Sequence, residues 1–383
     1  MNFFKHYEVE NNKIYFKGLD SLRFFSAGAV VITHIELIKY AFNLNHSWNN
    51  TLINSLGSIG VYFFFVLSGF LITYLLLIEE QCKGKVNIKK FYLRRILRIW
   101  PIYILMLIVG FFILPLIPLI NIPNQAVNLN KNFWSNFVMY LLMSPNLATS
   151  IYGSIPHIGH FWSIGVEEQF YLFWPFLLKF NNKLKSVILF IIIVLIIKSL
   201  FLFSFMHTVF NTKVYETIKF LLATIKFESM AVGALGAIVI FNPKLLIFKN
   251  LIFTKAAQLL AYLSIPLLIF YLPQPLENVK HLFFSFSFIV IIINIAVNNN
   301  SIVKLNSKVF NNLGQLSYGI YVYHFFIAAF VVALSKQYLY TILSSFSFNV
   351  VVYFFTFTLS ILVSKFSYVY FESYFLNLKA KLL

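Results

Sequence analysis

The chain has 383 residues, of which 60% are hydrophobic and only 11% are charged. Soluble domains carry roughly 25% charged residues, so this composition excludes an ordinary soluble protein. The formal net charge is +18, but the basic residues lie in short segments between long apolar runs. That distribution is typical of membrane topology and contact with anionic lipid, so we predict a lipid bilayer as a partner and no nucleic acid.

Apolar segments long enough to cross a bilayer recur along the whole chain. About 20 residues of helix span the hydrocarbon core, and a helix satisfies its own backbone polar groups. We predict an all-α polytopic membrane protein that forms one integral-membrane domain over residues 1–383, with no appended soluble domain. The first segment carries Arg23 and lacks a small-residue cleavage site, so we interpret it as a retained helix. The ten predicted spans are residues 20–38, 58–78, 101–120, 161–179, 186–206, 218–241, 256–272, 281–297, 315–335 and 347–371.

The density of basic residues alternates from one connecting segment to the next. With a cytoplasmic N-terminus, and with Lys179 and Lys219 at span ends counted with the segments they adjoin, the cytoplasmic segments hold 20 lysines and arginines, the opposite side holds 6 and the spans hold 4. Cytoplasmic loops carry an excess of basic residues, so we predict that both termini are cytoplasmic. The longest non-spanning segment, residues 121–160, then lies on the outer face.

The first span carries two ionisable residues, Arg23 and His34, eleven residues apart. Eleven residues are about three helical turns, so both side chains share a face and lie roughly 16 Å apart along the axis. Such groups in a membrane helix usually mark function. Two structural interpretations stay open: Asp20 can cap the helix and pair with an arginine that extends toward the headgroups, and His34 can be a hydrogen-bonded structural residue.

The second and third spans offer a small-residue pair and a basic cluster. Ser68 and Gly69 allow either close helix packing or room for a ligand chain. The segment FYLRRILRIWPIY (91–103) places Arg95 and Arg98 on one helix face, and guanidinium groups suit phosphate oxygens. The alternative is that these arginines only fix topology and contact lipid headgroups.

The segment FWSIGVEEQFYLFWP (161–175) places two adjacent carboxylates, Glu167 and Glu168, inside a span. Neighbouring residues point about 100° apart on a helix, so at least one must face protein or a wet cavity. Glu167 shares a face with Tyr171. A carboxylate there can orient a histidine or bind a sugar hydroxyl, or it can be a structural hydrogen-bond node.

A late span, LSYGIYVYHFF (316–326), aligns Ser317, Tyr321 and His324 on one face. The simplest interpretation is a polar contact between helices. Glu228 and the pair Lys365 and Glu372 suggest buried ion pairs or a cavity lining.

The sequence shows no metal-binding constellation. Cys82 is the single cysteine, which excludes an internal disulfide and a CxxC site. His157 and His160 have no carboxylate or cysteine nearby in sequence. A phosphate-binding loop, a GxSxG elbow and a dinucleotide fingerprint are all missing from the sequence.

These motifs resemble, in order, those of acyltransferase family 3, the integral-membrane acyltransferases that O-acylate bacterial surface glycans and other acceptors. The opening GLDSLRFFSAGAVVITH is similar to the family's first motif, whose basic-x10-His spacing falls on Arg23 and His34. FFFVLSGFLIT, the RxxR of Arg95 and Arg98, FWSIGVEEQFYL, LSYGIYVYHFF and FSYVYFESYF follow. The similarity covers about residues 10–376, in the stand-alone form. It departs at Ser373, where the family often has proline.

The resemblance implies an O-acyltransferase of the bacterial cytoplasmic (inner) membrane that uses acyl-CoA, usually acetyl-CoA, and no metal. On that hypothesis His34 is the general base or an acyl relay, and Glu167 holds its tautomer. The donor would contact the site through four residues and the acceptor through three. The donor-binding set is Arg23, Arg95, Arg98 and Ser68, and the acceptor-binding set is Trp162, Tyr171 and His324.

Several alternatives stay open at this point. The acceptor can be lipopolysaccharide O-antigen, capsule, exopolysaccharide, peptidoglycan or a lipid-linked sugar. A transporter of a glycan or lipid-linked intermediate also has about ten helices and buried charges, although we see no internal repeat. A membrane sensor or scaffold predicts no need for His34.

Overall fold

The computed structural model describes residues 8–10, 13–16, 18–123, 129, 131–202, 211–272 and 274–382. Predictions that concern the remaining residues, including the last four residues of the predicted span 186–206 and part of the outer segment 121–160, lie outside this range. Near the N-terminus, strands β1 (Glu8–Glu10) and β2 (Lys13–Tyr15) form an antiparallel hairpin with Val9 opposite Ile14. The rest of the described secondary structure is helical.

The helices follow the predicted spans closely in the first half of the chain. Among the described residues, two short α-helices separate the third long helix from the next, and both lie in the predicted outer segment. They are α1 (Leu19–Ala41), α2 (Thr51–Lys83), α3 (Ile88–Ile108), α4 (Phe133–Leu141), α5 (Pro145–Tyr152), α6 (Trp162–Leu177) and α7 (Lys183–Leu202).

The second half continues the same pattern of long apolar helices. Asn211, Thr254 and Ser344 cap three of them with side-chain oxygens that accept a backbone N–H. The helices are α8 (Thr212–Thr224), α9 (Phe227–Phe241), α10 (Leu246–Phe253), α11 (Lys255–Phe270), α12 (Lys280–Val297), α13 (Lys308–Gln315), α14 (Ser317–Tyr338), α15 (Ser345–Ser367) and α16 (Ser373–Leu382).

The prediction of an all-α polytopic membrane protein is confirmed. Within the described residues, eight helices are long and apolar enough to cross a membrane. The segments Pro243–Phe253 and Lys255–Phe270 meet at a bend of 63° and would make a ninth span together. The remaining predicted span, 161–179, corresponds to α6, which has 16 residues and is shorter than a straight crossing requires.

The chain divides into two compact units, each built from three stretches of sequence. Unit 1 comprises residues 1–26, 58–86 and 170–315, and unit 2 comprises residues 27–57, 87–169 and 316–383. The units are described separately below.

In unit 1, α2 and α9 approach each other through two glycines. A Cβ on Gly69 would lie 1.9 Å from the Met230 carbonyl oxygen, and a Cβ on Gly233 would lie 2.0 Å from the Val66 carbonyl oxygen. Small residues permit such backbone approach in membrane helices, where dispersion contacts and packing drive association. Gly69 therefore serves packing, which was one of the two interpretations of the Ser68–Gly69 pair.

In unit 2, a polar network fixes the second half of α1 against α15. Glu36 accepts hydrogen bonds from Lys39 Nζ at 2.7 Å and from the Tyr353 hydroxyl at 2.9 Å, and Lys39 also donates to Asn349 Oδ1 at 2.8 Å. About one turn before Glu36, the Thr33 hydroxyl donates to the Ile53 carbonyl oxygen at 2.8 Å. These bonds set the rotation of α1 around its axis.

The α2–α9 approach gives a stability prediction. Gly233→Ala should lower the free energy of unfolding by about 1–3 kcal/mol, because the new methyl group overlaps backbone that cannot move aside cheaply. Thermal unfolding of the purified protein in detergent measures the effect. Gly28→Ala is the matched control, since its Cβ would meet only a Phe357 ring carbon at 3.7 Å. Equal stability of the two variants would contradict the close approach.

Candidate functional site

Three histidines from distant parts of the sequence meet in unit 2. His34 lies on α1, His160 in the 3₁₀ turn before α6, and His324 on α14. The rings of His34 and His324 stack with 5.0 Å between centroids and 9° between planes. His160 lies 5.9 Å from His34 and 4.9 Å from His324, again between ring centroids. We call these residues the histidine cluster.

A chain of hydrogen bonds runs through two members of the cluster. Nδ1 of His34 lies 2.7 Å from Nε2 of His324. Nδ1 of His324 donates to the Tyr321 carbonyl oxygen at 2.7 Å and, less closely, to the Ile320 carbonyl oxygen at 3.2 Å. Both ring nitrogens of His324 therefore have partners, and His34 is one of them.

The three rings differ in accessibility. His324 is completely buried and His160 is 4% exposed, whereas His34 is half-buried. Phe325 packs against the cluster. Its ring centroid lies 4.9 Å from that of His34 and 5.5 Å from that of His160, on which the ring is stacked. His34 is thus the least buried member of the cluster.

The His160 turn is fixed by a second set of hydrogen bonds. The Tyr321 hydroxyl donates to the His160 carbonyl oxygen at 3.1 Å and lies 2.6 Å from Ser163 Oγ. Gly159 packs closely against Ser154 in this turn, since a Cβ there would lie 2.0 Å from Ser154 Oγ. Both His160 ring nitrogens are buried, and neither makes a hydrogen bond of ordinary geometry to another described residue.

His157 lies just outside the cluster. Its backbone adopts a φ of +62°, which is uncommon for a residue with a side chain. Burial lowers the pKa of His157 to about 4, so its ring is neutral at physiological pH. Among the residues that the structure describes, no group of three or more His, Cys, Asp or Glu side chains is arranged to hold a metal ion.

The predicted partner of His34, Glu167, lies on α6 in the same unit together with Trp162. Nδ1 of His34 is bonded to His324, and the role of Glu167 toward the His34 tautomer stays a prediction. The neighbouring Glu168 is buried and accepts a hydrogen bond from Trp100 Nε1 at 3.0 Å. The roles of Glu167 and Trp162 toward an acceptor stay predictions.

The three arginines that are predicted to bind the donor lie in different surroundings. In unit 1, Arg23 forms an ion pair with Asp20 at 2.7 Å, as the structural interpretation of that pair anticipates. In unit 2, the Arg95 guanidinium lies 5.7 Å from the centroid of the Phe91 ring. Arg98, one turn further along α3, is exposed. Arg95 and Arg98 thus share a face of one helix at its N-terminal half.

Two further predicted residues, Ser68 and Tyr171, hydrogen-bond to each other within unit 1. They had been assigned to the donor and to the acceptor, respectively, and these roles stay predictions. His324 had also been assigned to the acceptor. Its complete burial and its two occupied nitrogens disfavour a direct contact with substrate.

The sequence did not assign His160 to the site. The signal was the HIGH segment (157–160) immediately before the helix that carries Glu167. It had been considered only for metal binding, because the pairing of this turn with α14 is not visible in the sequence.

Unit 1 contains a separate buried charge network, built around Glu228. Glu228 Oε1 accepts from Lys198 Nζ and from His281 Nε2, both at 2.5 Å. Lys226 Nζ lies 3.3 Å from His281 Nδ1. The predicted buried ion pair of Glu228 is confirmed. Because Lys198 and Glu228 lie on different helices, α7 and α9, the pair joins these helices.

The Glu228 network gives a second stability prediction. Glu228→Gln should lower the free energy of unfolding by about 3–5 kcal/mol, since it leaves a buried lysine without its counter-charge. The double variant Lys198→Met with Glu228→Met should be more stable than Glu228→Gln, because it removes both charges. Unfolding in detergent provides the comparison. Strictly additive losses from the two methionine substitutions would show that the charges do not interact.

Comparisons with known proteins agree with this architecture. The family model described as an acyltransferase domain matches residues 16–365. O-acetyltransferase OatA of Staphylococcus aureus (strain NCTC 8325 / PS 47) is 28% identical over 342 residues, which are 86% of this chain and 53% of that protein. A putative O-acetyltransferase of S. aureus strain COL, SACOL0978, is 32% identical over 184 residues, 46% of this chain and 27% of that protein.

The chain spans about half the length of OatA. No solved structure matches it. The family match extends over nearly the whole described fold and includes α1, α14 and the 3₁₀ turn before α6, which form the histidine cluster. The chain is a multi-pass membrane protein that belongs to the acyltransferase 3 family.

Proposed function

We propose that this protein is a membrane O-acyltransferase. It moves an acyl group, with acetyl as the first candidate, from acyl-CoA to a hydroxyl of a glycan or lipid-linked saccharide. The observation that carries the proposal is the position of His34. His34 is half-buried and bonded through Nδ1 to His324, while the two histidines beside it are buried, in a chain that belongs to an acyltransferase family.

The chemistry requires a group that moves one proton. The acceptor hydroxyl loses its proton to the imidazole of His34 as its oxygen attacks the thioester carbonyl carbon. The new C–O bond forms, the C–S bond breaks, and the imidazolium returns the proton to the thiolate. No proton is gained or lost overall, and a positioned general base typically accelerates such a step by about 10²–10⁴-fold.

The donor is proposed to approach from the cytoplasmic side. Acyl-CoA carries phosphates at one end and its thioester at the other, with a long thin arm between them. Arg95 and Arg98 lie together on α3 in the same unit as His34, and guanidinium groups bind phosphate oxygens well. Arg23 is a further candidate, although a donor phosphate would compete with its ion pair to Asp20.

The acceptor is proposed to approach from the outer side of a bacterial cytoplasmic membrane, with both termini inside the cell. The excess of basic residues on one side of the predicted topology supports this orientation. His34 is the sixteenth residue of α1, roughly 22 Å from the helix start, which is well beyond the middle of a bilayer core of about 30 Å. Trp162 and Glu167 are the proposed acceptor contacts.

The first functional test is His34→Ala. Transfer of labelled acetyl from acetyl-CoA in membranes should fall by at least about 10²-fold, because no other base replaces the imidazole, while the amount of folded protein stays the same. His46→Ala is the matched control, since His46 lies in the loop after α1 and accepts from the Trp48 backbone N–H. Wild-type turnover in the His34 variant would refute the proposal.

The second functional test concerns the donor. Arg98→Ala should raise the KM for acetyl-CoA about tenfold and leave kcat nearly unchanged, because a hydrogen bond to a charged group contributes about 1.5–3 kcal/mol. Lys89→Ala removes one exposed positive charge from the same helix and is the control. If both variants behave alike, Arg98 serves topology and lipid contact only.

A further inference from the structure

We infer that His324 is a positioning residue that holds His34 in one tautomer, with its proton on Nδ1 and a lone pair on Nε2. The proposed function supplies the chemical use of this lone pair. The tautomer itself follows from the hydrogen-bond geometry and does not depend on that function.

The argument starts at the backbone of α14. The carbonyl oxygens of Tyr321 and Ile320 can only accept hydrogen bonds. His324 Nδ1 lies 2.7 Å from the Tyr321 oxygen and 3.2 Å from the Ile320 oxygen. Nδ1 of His324 therefore carries a hydrogen and donates it.

The second step uses the burial of His324. Its side chain is completely buried, and its hydrogen-bond partners are two backbone carbonyls and another imidazole. A charged imidazolium without a carboxylate partner is costly in such surroundings, so the ring is neutral. A neutral imidazole has one N–H, which His324 carries on Nδ1, and its Nε2 is therefore an acceptor.

The third step uses the acceptor role of His324 Nε2 to assign the proton of His34. Its Nδ1 lies 2.7 Å from the acceptor Nε2 of His324, so it must be the donor. The opposite tautomer of His34 would place two lone pairs against each other across 2.7 Å and would forfeit a buried hydrogen bond, at a cost of about 1–3 kcal/mol. The lone pair of His34 is thereby assigned to Nε2, which has no hydrogen-bond partner among the residues that the structure describes.

This arrangement defines how the proton moves. The chain of hydrogen bonds ends at a backbone carbonyl, which has no proton to release, so His324 orients His34 without relaying a proton. Nε2 takes the hydroxyl proton and later returns it to the departing thiolate sulfur. In between, the His34 imidazolium still donates from Nδ1 to His324. In other sites that depend on a histidine base, holding the histidine in the wrong tautomer lowers kcat by as much as about 10⁴-fold.

The tautomer is tested directly by nitrogen NMR of the purified wild-type protein with isotope-labelled histidine. His34→Gln removes the resonances of His34 and thereby assigns them. We expect a protonated Nδ1 and an unprotonated Nε2 at neutral pH. The reverse protonation of His34 would overturn the inference. Because the spectrum does not depend on turnover, this result is separable from any failure of the proposed function.

The positioning role is tested by a matched pair of variants at one residue. The Gln carbonyl oxygen in His324→Gln can accept from His34 Nδ1–H, whereas the side chain in His324→Leu cannot. We expect kcat to fall by about 10²–10⁴-fold in His324→Leu, to stay within about tenfold of wild type in His324→Gln, and the KM for acetyl-CoA to stay within about twofold in both.

The outcomes of this pair are distinct. Full activity of His324→Leu, or equal losses in two variants that fold as stably as wild type, would overturn the positioning role. If His34→Gln itself keeps wild-type turnover, the proposed base is wrong, while the tautomer measured by NMR still stands or falls by its own spectrum.

Discussion

The constraint on which this structure depends is that a polar group inside a membrane protein must find its partner within the protein. Hydrocarbon offers no hydrogen bonds, so an unsatisfied buried group costs several kcal/mol. The described polar residues obey this rule in three places: the Glu36 and Lys39 network, the Glu228 network, and the chain from Tyr321 through His324 to His34. In the last case Nε2 of His34 has no hydrogen-bond partner among the described residues, and in the proposed reaction the acceptor hydroxyl would donate to it.

The networks around α1 explain why that nitrogen has a defined direction. Thr33, directly before His34, is bonded to the carbonyl oxygen of Ile53, and Glu36, two residues after it, accepts from Tyr353 on α15. Thr33 and Glu36 are neighbours on one face of α1, and their contacts with two different helices oppose rotation of α1 about its axis. The hydrogen bond to His324 then fixes the orientation of the His34 ring about its side-chain torsions. A base that acts in a low-dielectric site gains most from being held in this way, because no solvent reorganisation is needed during the reaction.

The sequence predicted the parts of this site that depend on local pattern. Apolar length located every long helix, and the rarity of ionisable residues in a membrane span singled out His34. The partner of His34 could not be found in this way. His324 is 290 residues away, its own span suggested only a polar helix contact, and Glu167 looked equally suitable on chemical grounds. His160 was overlooked for the same reason, since its contact with α14 is tertiary. Arg23 shows the converse case: the local pairing with Asp20, three residues earlier, was readable from helix geometry alone.

A neutral imidazole suits its place beside His34 better than a carboxylate would. The Glu228 network shows what a buried carboxylate demands in this fold, since it engages a lysine and a histidine at one oxygen. A carboxylate bonded to His34 would need similar compensation, and a lysine near the base would oppose protonation of the imidazole. With His324 as acceptor, the resting pair carries no charge. In the proposed reaction, charge would appear only when His34 takes the hydroxyl proton, while negative charge develops on the thioester oxygen. The two opposite charges would then form and disappear together, without a permanent counter-ion.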